Sequence, residues 1–198
     1  SISLQLTYVP INALTVSLSG SYNQYRRRQD QFVENVQYNN SIRSIVSKVK
    51  QKTVRFTARA SYNVTPDLTI QYYGQPFITR PLYERFAYVS NPYAKKYDDR
   101  ITVFSPSQIR FANGVYSVDE NLDGNADYSF GNPDFNFVQF RSNLVARWEY
   151  KPGSELYLVW SQGNTPDAFA DTESPVFSSL FDNVFAGQAR NSFLVKWT

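Results

Sequence analysis

The chain has 198 residues, 17% of them aromatic, a formal net charge of +3, and no cysteine, methionine or histidine. Without thiols or imidazoles there are no disulfides, no thiolate- or histidine-ligated zinc and no Ser-His-Asp triad. So small a positive charge makes no case for nucleic acid, and no run reaches the roughly 18 apolar residues of a membrane helix, so any bilayer-crossing structure must be a closed β-barrel.

Residues 1–9 alternate Ile2, Leu4, Leu6 and Tyr8 against Ser3, Gln5 and Thr7, the period of a pleated strand. A turn over 10–13 leads to a second run, with Leu14, Val16, Leu18 and Tyr22 on one parity and small hydroxylated residues on the other. Residues 26–41 are polar and read as a long loop or a strand extension. Arg26, Arg27 and Arg28 there are either a solvated charge run or a clamp for lipid phosphates. From Ile42 to Val64 the chain is again strand-like, with Arg55 and Arg59 on the polar parity. A tight turn at Thr65, Pro66 and Asp67 starts the return strand through Leu68, Ile70 and Tyr72.

Residues 75–133 form the longest connection. Its first part is crowded with Phe77, Tyr83, Phe86, Tyr88, Tyr93 and Tyr97, which either build a small loop core or offer stacking platforms. Within it, Asp119, Asn121, Asp123, Gly124, Asn125 and Asp127 match positions 1, 3, 5, 6, 7 and 9 of a calcium loop. Hard oxygens at alternate positions suit Ca²⁺, but Phe130 stands where the bidentate glutamate belongs. The motif therefore reads as a weak structural calcium site or an Asx-rich turn.

Two runs joined at residues 151–154 make the sharpest hairpin. Phe140, Leu144, Ala146, Trp148 and Tyr150, with Leu156, Leu158 and Trp160 on the return, form an apolar row. Arg141, Arg147 and Glu149 lie on the opposite parity. Residues 164–188 form a third long connection. The last strand, over 189–198, sets Phe193, Val195 and Trp197 against Lys196.

Alternation alone fits a soluble sandwich as well as a membrane barrel. Three details favour lipid. The run from Phe140 to Tyr150 matches the roughly 9 to 11 residues of a tilted membrane strand. Aromatics lie near the ends of the apolar row, as at membrane interfaces. Charges of both signs sit at mid-strand, which suits a wet lumen. Short turns alternating with long connections add the asymmetry of outer-membrane barrels. The expected fold is all-β, an antiparallel transmembrane outer-membrane β-barrel in which residues 1–198 form a single segment. It would supply about seven or eight strands as the C-terminal part of a larger barrel, with 26–41, 75–133 and 164–188 as extracellular loops. The row Phe140, Leu144, Ala146, Trp148, Tyr150, Leu156, Leu158 and Trp160 is expected to face lipid. Arg55, Arg59, Arg141, Arg147, Glu149 and Lys196 are expected to face the lumen, as a cationic path for anions or as charge ladders filling a narrow barrel.

The block Asp127-Tyr-Ser-Phe-Gly-Asn-Pro-Asp-Phe-Asn-Phe, the run Phe140-Arg-Ser-Asn-Leu-Val-Ala-Arg-Trp-Glu-Tyr-Lys-Pro-Gly-Ser, then Leu156-Tyr-Leu-Val-Trp-Ser-Gln and Phe193-Leu-Val-Lys-Trp, carry a family resemblance. With Gln71-Tyr-Tyr-Gly-Gln-Pro-Phe upstream, residues from about 50 to 198 resemble the C-terminal barrel of a Bacteroidota family of unknown function. In that family the barrel follows a domain like the family-9 carbohydrate-binding modules. The resemblance implies a Gram-negative outer membrane and no defined activity. The chain departs from the pattern by stopping at Trp197-Thr198 and by lacking the sugar-binding-like domain, so no carbohydrate-binding residue carries over.

No nucleophile and base pair stands out, and no enzyme is expected. The reading is a surface anchor or subunit of a cell-envelope assembly, contacting outer-membrane lipid, lipopolysaccharide and other envelope proteins through the long loops. The alternative is an uptake barrel for an oligosaccharide or other polar ligand.

Overall fold

The computed structural model describes all residues, 1–198. The alternating runs become strands: β1 (Ile2–Ile11), β2 (Leu14–Arg26), β3 (Gln31–Tyr38), β4 (Ser41–Thr65), β5 (Leu68–Val89), β6 (Ile101–Val103), β7 (Ile109–Ala112), β8 (Val115–Val118), β9 (Tyr128–Gly131), β10 (Phe137–Lys151), β11 (Ser154–Asn164) and β12 (Arg190–Trp197). One short helix, α1 (Val176–Asn183), lies between β11 and β12. The chain is all-β and antiparallel.

Contacts divide it into two compact units rather than one segment. The first comprises Ser1–Gln24, Lys52–Arg80 and Phe135–Thr198, and the second Tyr25–Gln51 and Pro81–Asp134. In the first, the strand order is β1-β2-β4-β5-β10-β11-β12. Register puts the apolar parities of β5, β10, β11 and β12 on one face: Leu144 opposes Tyr72 and Trp160, Ala146 opposes Ile70 and Leu158, and Leu156 opposes Trp197. A one-residue slip would turn each row over, so the two unlike faces fix the register. Reversal at the β10–β11 turn needs Gly153, whose φ is 78°.

Helix α1 covers one end of this apolar face. Val176, Leu180 and Val184 pack with Val54, Ile78, Val138 and Phe140 into a buried cluster. Two polar side chains hold the helix there. Arg80, only 2% exposed, donates to Asn136 Oδ1 at 2.6 Å, to the carbonyls of Thr172 and Ser174 at 2.8 and 2.7 Å, and to Ser179 Oγ at 2.8 Å. Asn164 Nδ2 donates to the carbonyls of Val184 and Ala186 at 3.0 and 2.9 Å, capping the other end.

In the second unit β3 pairs with β4, β6 with β5, and β7, β8 and β9 form a separate sheet. Val36, Ile45, Phe86, Phe104, Val118, Tyr128 and Phe130 make its core. The stretches 26–41, 75–133 and 164–188 are therefore not simple loops. Asn39 and Asn40, at φ 45° and 58°, turn β3 into β4. β5 runs on to Val89, and four more strands, β6 to β9, follow where the long connection was expected. The physical reason is burial: Tyr83, Phe86, Tyr88, Phe104, Tyr116, Tyr128 and Phe130 build a hydrophobic core of their own, whereas Phe77 packs on Phe137 in the first unit and Tyr93 and Tyr97 are exposed.

Candidate functional site

Three surfaces answer to the residues singled out from sequence. The first is the apolar face. Trp148 and Leu158 are 48% and 49% exposed, and Leu144, Ala146, Tyr150, Leu156 and Trp160 are half-buried only by their neighbours. Phe140 departs from the expectation. It is 8% exposed, because α1 and the Phe185 ring, 5.3 Å away, cover it. The face extends across the edges: Ile2, Leu4, Leu6 and Tyr8 on β1, and Phe193, Val195 and Trp197 on β12, are more than half exposed. Aromatics border it near the short turns, where Trp148 packs edge-on to Tyr150 and Trp197 Nε1 donates to Tyr150 Oη.

Helix α1 adds a second apolar stripe that periodicity did not reveal. Phe177 and Phe181 on the helix, and Phe185 in the turn just after it, repeat every four residues and are 46%, 57% and 73% exposed. Beside Phe177 lies a groove of about 720 Å³ lined by Ile2, Leu4, Leu18, Phe56 and Ala58.

The second surface is the opposite, polar face. Arg55, Arg59, Arg141, Arg147 and Lys196 are exposed there, and Glu149 is half-buried. Arg147 is held by Glu155, whose other oxygen accepts from Tyr157 Oη at 2.6 Å. Glu149, directly across from Glu155, takes the Gly153 N–H at 3.0 Å. Arg59 stacks over Tyr73 and Lys196 over Tyr157, at 5.5 and 5.7 Å. Arg55 and Arg141 have neither an ion pair nor a hydrogen bond. The face is cationic with one ion pair, not a filled ladder of charges.

The third is the Asp-rich turn of the second unit. Asp119 Oδ1 and Oδ2 accept the N–H groups of Asp123 and Gly124 at 3.1 and 2.8 Å. Asn121 Oδ1 also accepts from Asp123 N, and Asp123 Oδ1 from Asn125 N, at 2.9 and 2.8 Å. That last bond holds the Asp123 carboxyl below its usual range. Asp127 Oδ2 instead accepts from Glu120 N at 2.7 Å. The turn thus gathers Asp119, Asn121 and Asp123, whose oxygens meet backbone N–H groups, that of Asn125 among them. Asp, Glu, His and Cys side chains do not assemble in threes around a common point.

Glu120, inside this motif, was not legible as important. Its carboxylate pairs with Arg43 at 3.0 Å and accepts from Tyr128 Oη at 2.8 Å, while Arg43 lies over Tyr38 and Tyr88. Burial, then the Glu120 carboxylate, pushes the Tyr128 hydroxyl far up. Two of the three arginines at the end of β2 are similarly occupied: Arg26 pairs with Glu84 at 3.3 Å, and Arg27 donates to Gln31 and Gln51, while Arg28 offers only its carbonyl, to Lys48 Nζ.

Comparison with protein-family models, curated proteins and solved structures gives no match to this chain. Function must be argued from these surfaces.

Proposed function

We propose that the chain is part of an outer-membrane β-barrel that serves as an anchor or subunit of a cell-envelope assembly. One observation carries the reading: an apolar face spans the main sheet, interrupted by Ser142, Gln162 and Asn191 only towards the end that α1 covers. In water so large an exposed apolar patch is a liability; against acyl chains it is the required surface. The strand rises about 26 Å from Trp148 to the α1-covered Phe140 and about 20 Å over the open row from Leu144 to Tyr150, at roughly 3.3 Å per residue, against an apolar band of about 25 Å in such barrels.

Barrel closure adds a condition. The outer strands β1 and β12 run in the same direction, since six antiparallel steps separate them. A second copy in the same orientation would meet them as parallel strands. Antiparallel closure takes an odd number of further strands, so an assembly or a larger barrel fits better than a lone sheet with open edges in lipid. The compact second unit is then the part offered to partners. Calcium at the Asp119–Asp127 turn would stiffen that unit without chemistry of its own; the test is calorimetric titration, with millimolar affinity expected.

The test of the main reading is assembly with phospholipid vesicles. The protein should float with them and resist extraction at alkaline pH. Staying in the aqueous fraction, folded and monodisperse, would refute it. The second reading, an uptake barrel, draws on the unpaired Arg55 and Arg141 of the polar face. It requires anion-selective single-channel conductance after reconstitution, which a pure anchor would lack.

A further inference from the structure

On the polar face, Gly163 of β11 is the cross-strand partner of Arg141 on β10 and of Arg190 on β12. Paired residues in adjacent strands point to the same side of a sheet. The register therefore lays down a row of three, arginine, glycine, arginine, on neighbouring strands. The two outer backbones are about 10 Å apart at roughly 4.8 Å per strand. A side chain at 163 would fill the space between them. None exists, and a Cβ built there meets nothing within 4 Å.

The gap is one wall of a cavity of about 530 Å³ lined by Arg141, Arg190, Gln139, Thr165, Asp167 and Gln188. Gln139 Nε2 donates to Thr165 Oγ1 at 3.0 Å, which fixes that side. Neither guanidinium has an ion-pair or hydrogen-bond partner, and Asp167 lies beyond 4.0 Å of both. Two like charges on either side of a vacant position repel, and the one carboxylate lining the cavity, Asp167, pairs with neither.

We propose that this slot binds a tetrahedral oxyanion, a sulfate or phosphate group, held between the two guanidinium forks. Each fork presents a planar pair of N–H donors suited to two oxygens. A carboxylate has two oxygens in one plane and satisfies one fork. A tetrahedral anion offers separate oxygen pairs to both. The site stands on sheet register and holds whether or not the apolar face meets lipid.

The test is a titration of the ¹⁵N-labelled chain in detergent with sodium sulfate, sodium phosphate and sodium acetate, each balanced with chloride to constant ionic strength. The Gly163 amide should shift saturably with sulfate and phosphate, and only weakly with acetate. Arg141→Gln and Arg190→Gln should each weaken binding about tenfold, the loss of a charged hydrogen-bonding group. Gly163→Leu should abolish binding with both arginines intact, its fold checked by unchanged amide shifts of β1 and β2 in the same unit. A sugar 6-sulfate beside the inorganic ion distinguishes a tethered ester from a free anion, and saturable binding of either supports the site. Identical shifts in chloride, acetate binding as tight as sulfate, or binding that survives both arginine substitutions would overturn the proposal.

Discussion

Among single residues, buried polar groups with full sets of partners fix the helix and the second unit, and a few arginines have none. Arg80 is the firmest: four acceptors surround a buried guanidinium. Arg80→Ala strands those acceptors and should cost on the order of 3 kcal/mol of local stability. Hydrogen exchange would show it as faster exchange over residues 169–184, with β1 and β2 unaffected. Two carboxyls give pH dependences of opposite sign. The Asp171 carboxyl, bonded by the Ser174 hydroxyl and then by backbone N–H groups, is held below its usual range. Its contribution to the α1 approach is present above the ordinary aspartate range and is lost as pH falls through the depressed value. The Asp134 carboxyl is pushed up by burial, against the pull of the Tyr83 N–H, so its folded form favours the proton. Stability of the second unit therefore falls as pH rises from the ordinary aspartate range through the raised value. Asp134→Asn keeps the acceptor and removes the charge. It should raise the thermal midpoint of that unit at pH 7 and leave it unchanged in acid.

Among the elements, the long hairpin strands were readable because period-two alternation is local. Residues 42–64 gave β4 nearly to its ends, and the short turns fell where Pro66 and Gly153 lie. What was missed depends on information that no single strand holds. Pro76 and Pro81 broke the pattern of β5, although it continues as strand to Val89. The β7–β8 hairpin had a signal, the Asn113-Gly114 dipeptide with φ of 52° and 78°, which was submerged in an otherwise polar connection. Helix α1, eight residues long, is too short for its stripe to be told from noise. Arg190 gains its place only through the registers of β10 with β11 and β11 with β12. The same pairing yields a test for β12. Trp160 and Phe193 stack at 6.2 Å with rings 7° apart. Phe193→Ala should loosen β12 by about 1 kcal/mol, read as faster exchange of its amides than of those in β10.

For the molecule as a whole, the decisive quantity is the solvent that meets the apolar face. All three tryptophans lie on that face: Trp148 and Trp197 flank Leu156 in one row, and Trp160 stands four residues along β11, between Leu144 and Phe193. Intrinsic fluorescence therefore reports on that surface, with no probe to introduce. The most direct measurement compares quenching by brominated acyl chains in vesicles with quenching by aqueous iodide. If the face lies in a bilayer, brominated lipid should extinguish most of the emission while iodide has little access. Strong iodide quenching with no effect of brominated lipid would contradict the membrane account.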